Sequence, residues 1–311
     1  MKTLELITSK MNSTQNPYTQ LDTRFDHEEG ISWVFMKPNG IPCFDLAFIS
    51  EMQHYHQIIE DCGGNIRVNE NLYPVRYQVV ASQIPGIFNL GGQLELFRQL
   101  IRSMDRQGLM HYAKMCIDTL VPRLRHFNLP VVTISLIQGE ALGGGLEAAL
   151  SSDIIIAERS SQMGFPEILF NLFPGMGAYS FLGRKIGAAQ AETMILSGKL
   201  YGAEELHEMG LVDVLVEDGQ GEVAVYEFVS KQARRSNGYI GIQKARQRFN
   251  PVTYQELIDI TGIWVDTALQ LNEKDLKVMD RFVRSQQKLF GKVELAAESG
   301  DTRQELRLAT A

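Results

Sequence analysis

The chain has 311 residues, 44% of them apolar and 22% charged, enough to bury a substantial core as one large domain or a domain with an appendage. Its 30 Lys and Arg stand against 37 Asp and Glu, and so small an acidic excess gives no basic footprint for nucleic acid. Cys43, Cys62 and Cys116 lie far apart without metal-ligand or CxxC spacing, no run approaches the roughly 18 apolar residues of a membrane span, and the opening lacks a signal-peptide core. A cytoplasmic protein in a reducing compartment is expected.

Residues 1–29 are rich in Asn, Thr, Gln and Asp with little periodicity, which reads as a loosely held N-terminal arm. Ile31 to Met36 then reads as a strand closed by Pro38-Asn39-Gly40. Phe44, Ala47, Phe48, Tyr55, Ile58 and Ile59 recur at helical spacing up to Gly63-Gly64. Val75, Tyr77 and Val79 alternate as a strand does. Phe88-Asn89-Leu90-Gly91-Gly92 forms a strand-to-helix turn before Leu94, Leu96, Phe97, Leu100 and Ile101. Leu109, Tyr112, Cys116, Leu120 and Leu124 mark a further helix, and Val131 to Ile134 a strand. A glycine cluster, a short helix and a strand over 153–157 follow. Strands alternating with helices imply an α/β layered fold, with the core spanning 30–221.

After Val216 the strand signal ends, and residues 222–291 read as two helical stretches, 222–235 and 254–289. In the second, Leu257, Ile260, Trp264, Leu271, Val278 and Phe282 form an apolar stripe that suggests a subunit contact. Residues 292–311 read as a polar tail.

The densest chemical signal lies between Ile137 and Gly177. Gly143-Gly144-Gly145 sits between a strand and a helix, where peptide N–H groups can approach a ligand at the positive end of the helix dipole. Glu147 follows within one turn, and Pro166-Glu167 has proline at a first helical position. Taken singly, the glycines make a tight turn and each glutamate complements a dipole, worth some tenths of a kcal/mol. The histidines carry no such signal. His27, His54, His56, His111, His126 and His207 are scattered, and His54 and His56, two apart on a helix, cannot share a face to hold a metal. Lys231 to Arg235, with Lys244, Arg246 and Arg248, reads as a solvated helix surface that could also meet an acidic carrier protein.

Taken together, Gly139, Ala141, Gly143, Gly144, Gly145 and Glu147, then Asp153, Pro166-Glu167 and Pro174-Gly175-x-Gly177, resemble the signature of the crotonase, or enoyl-CoA hydratase/isomerase, superfamily. The resemblance covers most of the chain. It implies a spiral core of ββα units with a C-terminal helical trimerisation region, and two catalytic carboxyls, Glu147 and Glu167. It also implies an oxyanion hole formed by the N–H groups of Gly144 and of Gly92 in Phe88-Asn89-Leu90-Gly91-Gly92. Where the family usually has a small residue and then Asp, this chain has Gln93.

Further stretches, Phe173 to Ser180 and Ile263 to Asp266, resemble a narrower group, the diffusible signal factor synthases, which make cis-2-unsaturated fatty acid signals. That likeness implies a dehydratase that also hydrolyses thioesters, acting on a 3-hydroxyacyl chain carried by acyl carrier protein or CoA. No cofactor or metal is implied. Leu172, Phe173, Met176 and Trp264 become candidate walls of an acyl pocket and Tyr179 a candidate substrate contact, although residues at such spacing also serve ordinary packing. The likeness further implies a homotrimer and docking on a signalling receptor domain. Two alternatives stand beside it: a trans-2-enoyl-CoA hydratase or isomerase using the same glutamates, and a crotonase-fold protein that binds acyl chains or docks on a receptor without catalysis.

Overall fold

The structure, a computed structural model, describes residues 17–299, with side chains through 291. Twelve strands are described. The larger sheet has six, in the order β1 (Leu21–Asp26), β2 (Ile31–Met36), β5 (Tyr77–Ser82), β7 (Val132–Ile137), β9 (Ile154–Glu158) and β12 (Val214–Val216). The smaller has four, β11 (Leu200–Gly202), β10 (Gln162–Gly164), β8 (Gly139–Leu142) and β6 (Gly86–Asn89), and β3 (Asn65–Val68) pairs with β4 (Asn71–Pro74) as a hairpin.

The sheets are generated by a repeated unit. β5 and β6, β7 and β8, and β9 and β10 each give one strand to the large sheet and the next to the small one, and a helical segment follows each pair. Within the large sheet β2, β5, β7, β9 and β12 run parallel, and in the small sheet β6, β8 and β10 do. Successive turns of this spiral bring the segments after β6, β8 and β10 side by side. In open α/β sheets the crevice beyond the carboxyl ends of parallel strands is where ligands bind.

β2, β5 and β7 are covered on both faces, which accounts for continuous apolar runs such as Val132-Thr133-Ile134 where alternation would mark a half-exposed strand. One face meets the main core. The other, carrying Trp33, Val79, Ile134 and Ile156, packs against Ala224, Val225 and Val229 of the helix Gly221–Ala233.

Two readings from sequence need correction. Residues 21–26, inside the stretch read as a loose arm, form the edge strand β1, because Leu21 is fully buried and the strand pairs antiparallel with all of β2. The first 16 residues of that stretch lie outside the described residues. The C-terminal region holds four helices where two were expected: Gly221–Ala233, Ser236–Phe249, Tyr254–Ala268 and Glu273–Ser299. Thr253 caps the third by accepting from the Glu256 N–H, and Asn272 starts the fourth by accepting from the N–H groups of Lys274 and Asp275. Of the apolar stripe on these last two helices, Leu257, Trp264 and Leu271 are buried in the chain's own main core, while Ile260, Val278 and Phe282 are half-buried. The side chains of residues 292–311, read as a tail, lie outside those described.

Candidate active site

Three loops, one from each turn of the spiral, build the site. After β6, the Asn89 side-chain oxygen accepts the Gly91 N–H at 2.8 Å, and the Tyr112 hydroxyl accepts the Gln93 N–H at 3.2 Å while donating to the Phe44 carbonyl. The Gly92 N–H between them has no hydrogen-bond partner among the described residues. After β8, Gly143 takes a φ of +52°, which favours glycine, and the chain turns into the helix Gly144–Leu150. The Gly144 N–H, at the positive end of that helix, is likewise unpartnered. The two loops touch: a methyl on Gly91 would lie 2.8 Å from the Leu142 carbonyl oxygen, and one on Gly144 would lie 3.5 Å from the Gly92 nitrogen. Two free peptide donors therefore face one space.

Glu147, on the first turn of the same helix, is buried. Its Oε1 accepts the N–H groups of Met176 at 2.7 Å and Ala178 at 2.9 Å. Burial pushes its carboxyl up to about 7, against the pull of those two donors. After β10, Phe165 leads into the short helix Pro166–Phe170, which carries Glu167 in its first turn. Glu167 is half-buried, its Oε2 is sealed from solvent without a partner, and its Oε1 lies over Gly143 so closely that any β-carbon there would overlap it. Burial, then the charge of Glu147, raise this carboxyl further, to about 8. Both glutamates hold protons far above the usual carboxylate range.

All four of these residues line one cavity of about 770 Å³. Of the candidate walls, Leu172, Met176 and Trp264 line it too. The Trp264 ring lies against Gly175 and meets Phe97 edge-on at 5.1 Å, and Phe97 meets Tyr112 at 5.0 Å. Phe173 and Tyr179 do not line it. Phe173 packs against the main core, and Tyr179, 41% exposed, donates its hydroxyl to Glu192 at 2.9 Å. Among the described residues no cluster of His, Cys, Asp or Glu is placed to hold a metal ion.

The sequence reading missed Tyr112 as the peg of the Gly92 loop, and Phe282, Gln286 and Leu289, which bring the last helix over the cavity. Gln286 donates to the Leu90 carbonyl at 3.0 Å, and Phe282 meets Phe170 edge-on at 5.5 Å. Helical spacing marked Phe282 as apolar, but no local signal says which surface it covers.

Residues 56–256 match the family model described as enoyl-CoA hydratase/isomerase. The chain belongs to the enoyl-CoA hydratase/isomerase family and has its crotonase fold. It is 32% identical over 196 residues to the mitochondrial methylglutaconyl-CoA hydratase of Rattus norvegicus, an alignment covering 62% of this chain and 59% of that protein. The chain thus spans less than two thirds of the length of that relative. The enoyl-CoA hydratase structure from Bacillus halodurans superposes with a TM-score of 0.68 at 21% identity, covering 84% of this chain and 98% of that one. The structure of Pseudomonas aeruginosa DspI does so with a TM-score of 0.60 at 27% identity, covering 77% and 92%.

Proposed function

We propose that this chain is a 3-hydroxyacyl-thioester dehydratase with acyl thioesterase activity, releasing a cis-2-unsaturated fatty acid used as a signal. One observation carries the reading: two unpartnered peptide N–H groups, of Gly92 and Gly144, and two proton-holding carboxyls, of Glu147 and Glu167, line a single cavity with an aromatic wall. A thioester carbonyl between the two N–H groups gains charge when a proton leaves C2, and preorganised donors stabilise that charge. Losing one typically costs about 3 kcal/mol.

In dehydration the ionised form of Glu167, a minority at neutral pH, takes the C2 proton, the C3–O bond breaks as C2=C3 forms, and Glu147 gives its proton to the departing hydroxide, which leaves as water. Each proton transfer contributes roughly 10² to 10⁴ in rate. The step leaves Glu167 protonated and Glu147 ionised, the distribution favoured by the two N–H groups on Glu147 and the unpartnered oxygen of Glu167. Glu147 is then the carboxylate free to take a proton from water. The water oxygen adds to the thioester carbon, Gly92 and Gly144 hold the tetrahedral oxyanion, the C–S bond breaks as the carbonyl re-forms, and Glu147 returns the proton it took from water to the departing thiolate.

The finer assignment draws on the likeness of Phe173 to Ser180 and Ile263 to Asp266 to signal factor synthases, and on Gln93 in place of the usual aspartate. The same proton distribution favours a second reading, hydration of a trans-2-enoyl-CoA, in which Glu167 gives its proton to C2 and Glu147 activates water. The hydratase named among the relatives fits that reading. Incubating the protein with 3-hydroxyacyl carrier protein and with 3-hydroxyacyl-CoA, and analysing products by mass spectrometry, separates the two. Free cis-2-enoic acid supports the synthase reading, and trans-2-enoyl-CoA alone removes it. The proposal includes a homotrimer and docking on a receptor domain, tested by light scattering and by pull-down. A Glu147→Ala, Glu167→Ala double variant that keeps the cellular phenotype would favour a binding protein.

A further inference from the structure

Behind the cavity, on the far side of the catalytic helix, lies a charged group that the chemistry above does not use. Arg123, in the last turn of the helix Arg106–Leu124, is 3% exposed, and no carboxylate binds its guanidinium directly. Its donors go instead to five uncharged acceptors on three pieces of the fold. Nε donates to the Gln78 side chain on β5 at 3.0 Å. Nη2 donates to the Ile134 carbonyl at 3.1 Å and to Ser135 Oγ at 3.3 Å on β7, and to Ser152 Oγ at 2.6 Å. Nη1 donates to the Ala148 carbonyl at 3.3 Å. Ser152 Oγ and Ser135 Oγ are also within 2.7 Å of each other, closing the network.

Ala148 and Ser152 are the parts that matter for chemistry. They belong to the carboxyl end of the seven-residue helix Gly144–Leu150 and the turn just after it, the same short helix that presents the Gly144 N–H and Glu147 at its other end. So short a helix has almost no internal bonding to hold it in place. Leu146, Ala148, Ala149 and Leu150 pack in the main core, its amino end follows the Gly143 turn, and at its carboxyl end Arg123 supplies directional bonds to Ala148 and Ser152. A cation is favourable there on dipole grounds, and a planar fork fixes direction as well as distance. Burying it is costly. Burial pulls the guanidinium down to about 10, with Asp153 and Tyr55 acting the other way, so it remains charged at neutral pH.

We propose that Arg123 is a positioning residue for catalysis: it fixes the helix Gly144–Leu150 so that the Glu147 carboxylate meets the N–H groups of Met176 and Ala178 and the Gly144 N–H faces the substrate carbonyl. This rests on the catalytic roles proposed for Glu147 and Gly144, but its decisive measurement needs no turnover. Loosening the helix lengthens the two hydrogen bonds to Glu147 Oε1, and the carboxyl then holds its proton to higher pH. The titratable neighbours are Glu167 and Cys116 around Glu147, and Asp153, Tyr55 and His56 around Arg123.

The test compares Arg123→Lys, which keeps the charge and loses the fork, with Ser152→Ala, which removes the shortest of the five bonds and spares the cation. Protein labelled with carbon-13 at the glutamate carboxyls is titrated by NMR, with the Glu147 signal assigned by its loss in Glu147→Gln. The Glu147 titration is expected to move to higher pH in both variants, further in Arg123→Lys. If the wild type turns over thioesters, kcat falls by about tenfold or more with KM within about twofold, as loss of alignment in the transition state predicts. An unmoved Glu147 titration in the folded variants overturns the assignment even if kcat falls, since a fall alone reports only weakened structure. Should no thioester be processed, the functional reading fails while the titration still decides the role of Arg123. Should Arg123→Lys not fold, the same titration of the milder Ser152→Ala is decisive: a move to higher pH upholds the role of Arg123, and no move overturns it.

Discussion

The cavity has two walls of different construction. One is made by Gly91–Gly92, Gly143–Gly144, Glu147 and Glu167, each within a few residues of the end of a small-sheet strand. The other is made by Phe97, Trp264, Phe282 and Leu289, drawn from a helix early in the chain and two helices far beyond the spiral. On the proposed function the first wall works through backbone geometry and the placement of protons, so single atoms matter. The second works through volume and exclusion of water, so shape matters and identity is more negotiable. Substitutions should therefore act on the first wall through rate, and on the second through stability and substrate range.

The largest effect should come from the first wall. Glu147→Gln and Glu167→Gln keep shape and remove a transferable proton, and each is expected to lower kcat by roughly 10² to 10⁴ with little change in KM. The double variant should fall hardly further than the worse single one, because the two groups share one proton cycle. Additive losses in steady-state assays would mean that the carboxyls work separately and that the first wall is not one unit.

That wall was also the legible one. The order Gly-x-Ala-x-Gly-Gly-Gly-x-Glu, then Pro-Glu, is a compact local pattern that carries the resemblance to the family, and through that resemblance Gly144, Glu147 and Glu167 were expected in one site, where the structure has them lining one cavity. The strands β2, β7 and β9 were legible for a related reason, since β-branched runs between turn residues have few other uses. What escaped was whatever depends on distant neighbours. β1 is polar outward and gains its status only by pairing with β2. Tyr112 looked like one more core position, and only the fold brings its hydroxyl to Gln93 and Phe44. Phe173 is the neighbour of Leu172 and Tyr179 lies three residues after Met176, both cavity residues, and the sequence around them does not show that the chain points them away.

The second wall gives the next effect. Trp264→Ala removes a buried ring that fills the space over Gly175 and against Phe97, and is expected to cost about 3–5 kcal/mol of stability. Chemical denaturation measures the loss, and acyl chains bulkier than the native substrate should gain relative to it. A lost kcat with unchanged chain preference would place Trp264 functionally with the first wall.

A smaller effect sets function against stability within the first wall. Glu167 is held above its ordinary value of 4.5. Its protonated form is the one folding favours, so its contribution is complete below about 4.5 and is lost as pH rises through about 8. Glu167→Gln, neutral at every pH, should therefore match the wild type in mild acid and exceed it by roughly 1–3 kcal/mol at pH 9. Melting curves at the two pH values check this. Equal gains at both would mean that the substitution acts through packing and that the carboxyl is not strained by burial.

The smallest expected effect tests where the two walls meet. Gln286 reaches from the last helix to the carbonyl of Leu90, two residues before Gly92, and so ties that helix to the loop that carries the proposed oxyanion donor. Gln286→Ala removes one neutral hydrogen bond at a half-buried position, worth about 0.5–1.5 kcal/mol. Because Asn89 and Tyr112 hold the loop from the other side, the Gly92 N–H should keep its place. The expected result is a rise in KM of a few-fold with kcat unchanged, as the helix loosens over the cavity. A fall in kcat of tenfold or more would mean that the last helix aligns the oxyanion donor itself, and the division between a chemical wall and a packing wall would then dissolve at Leu90.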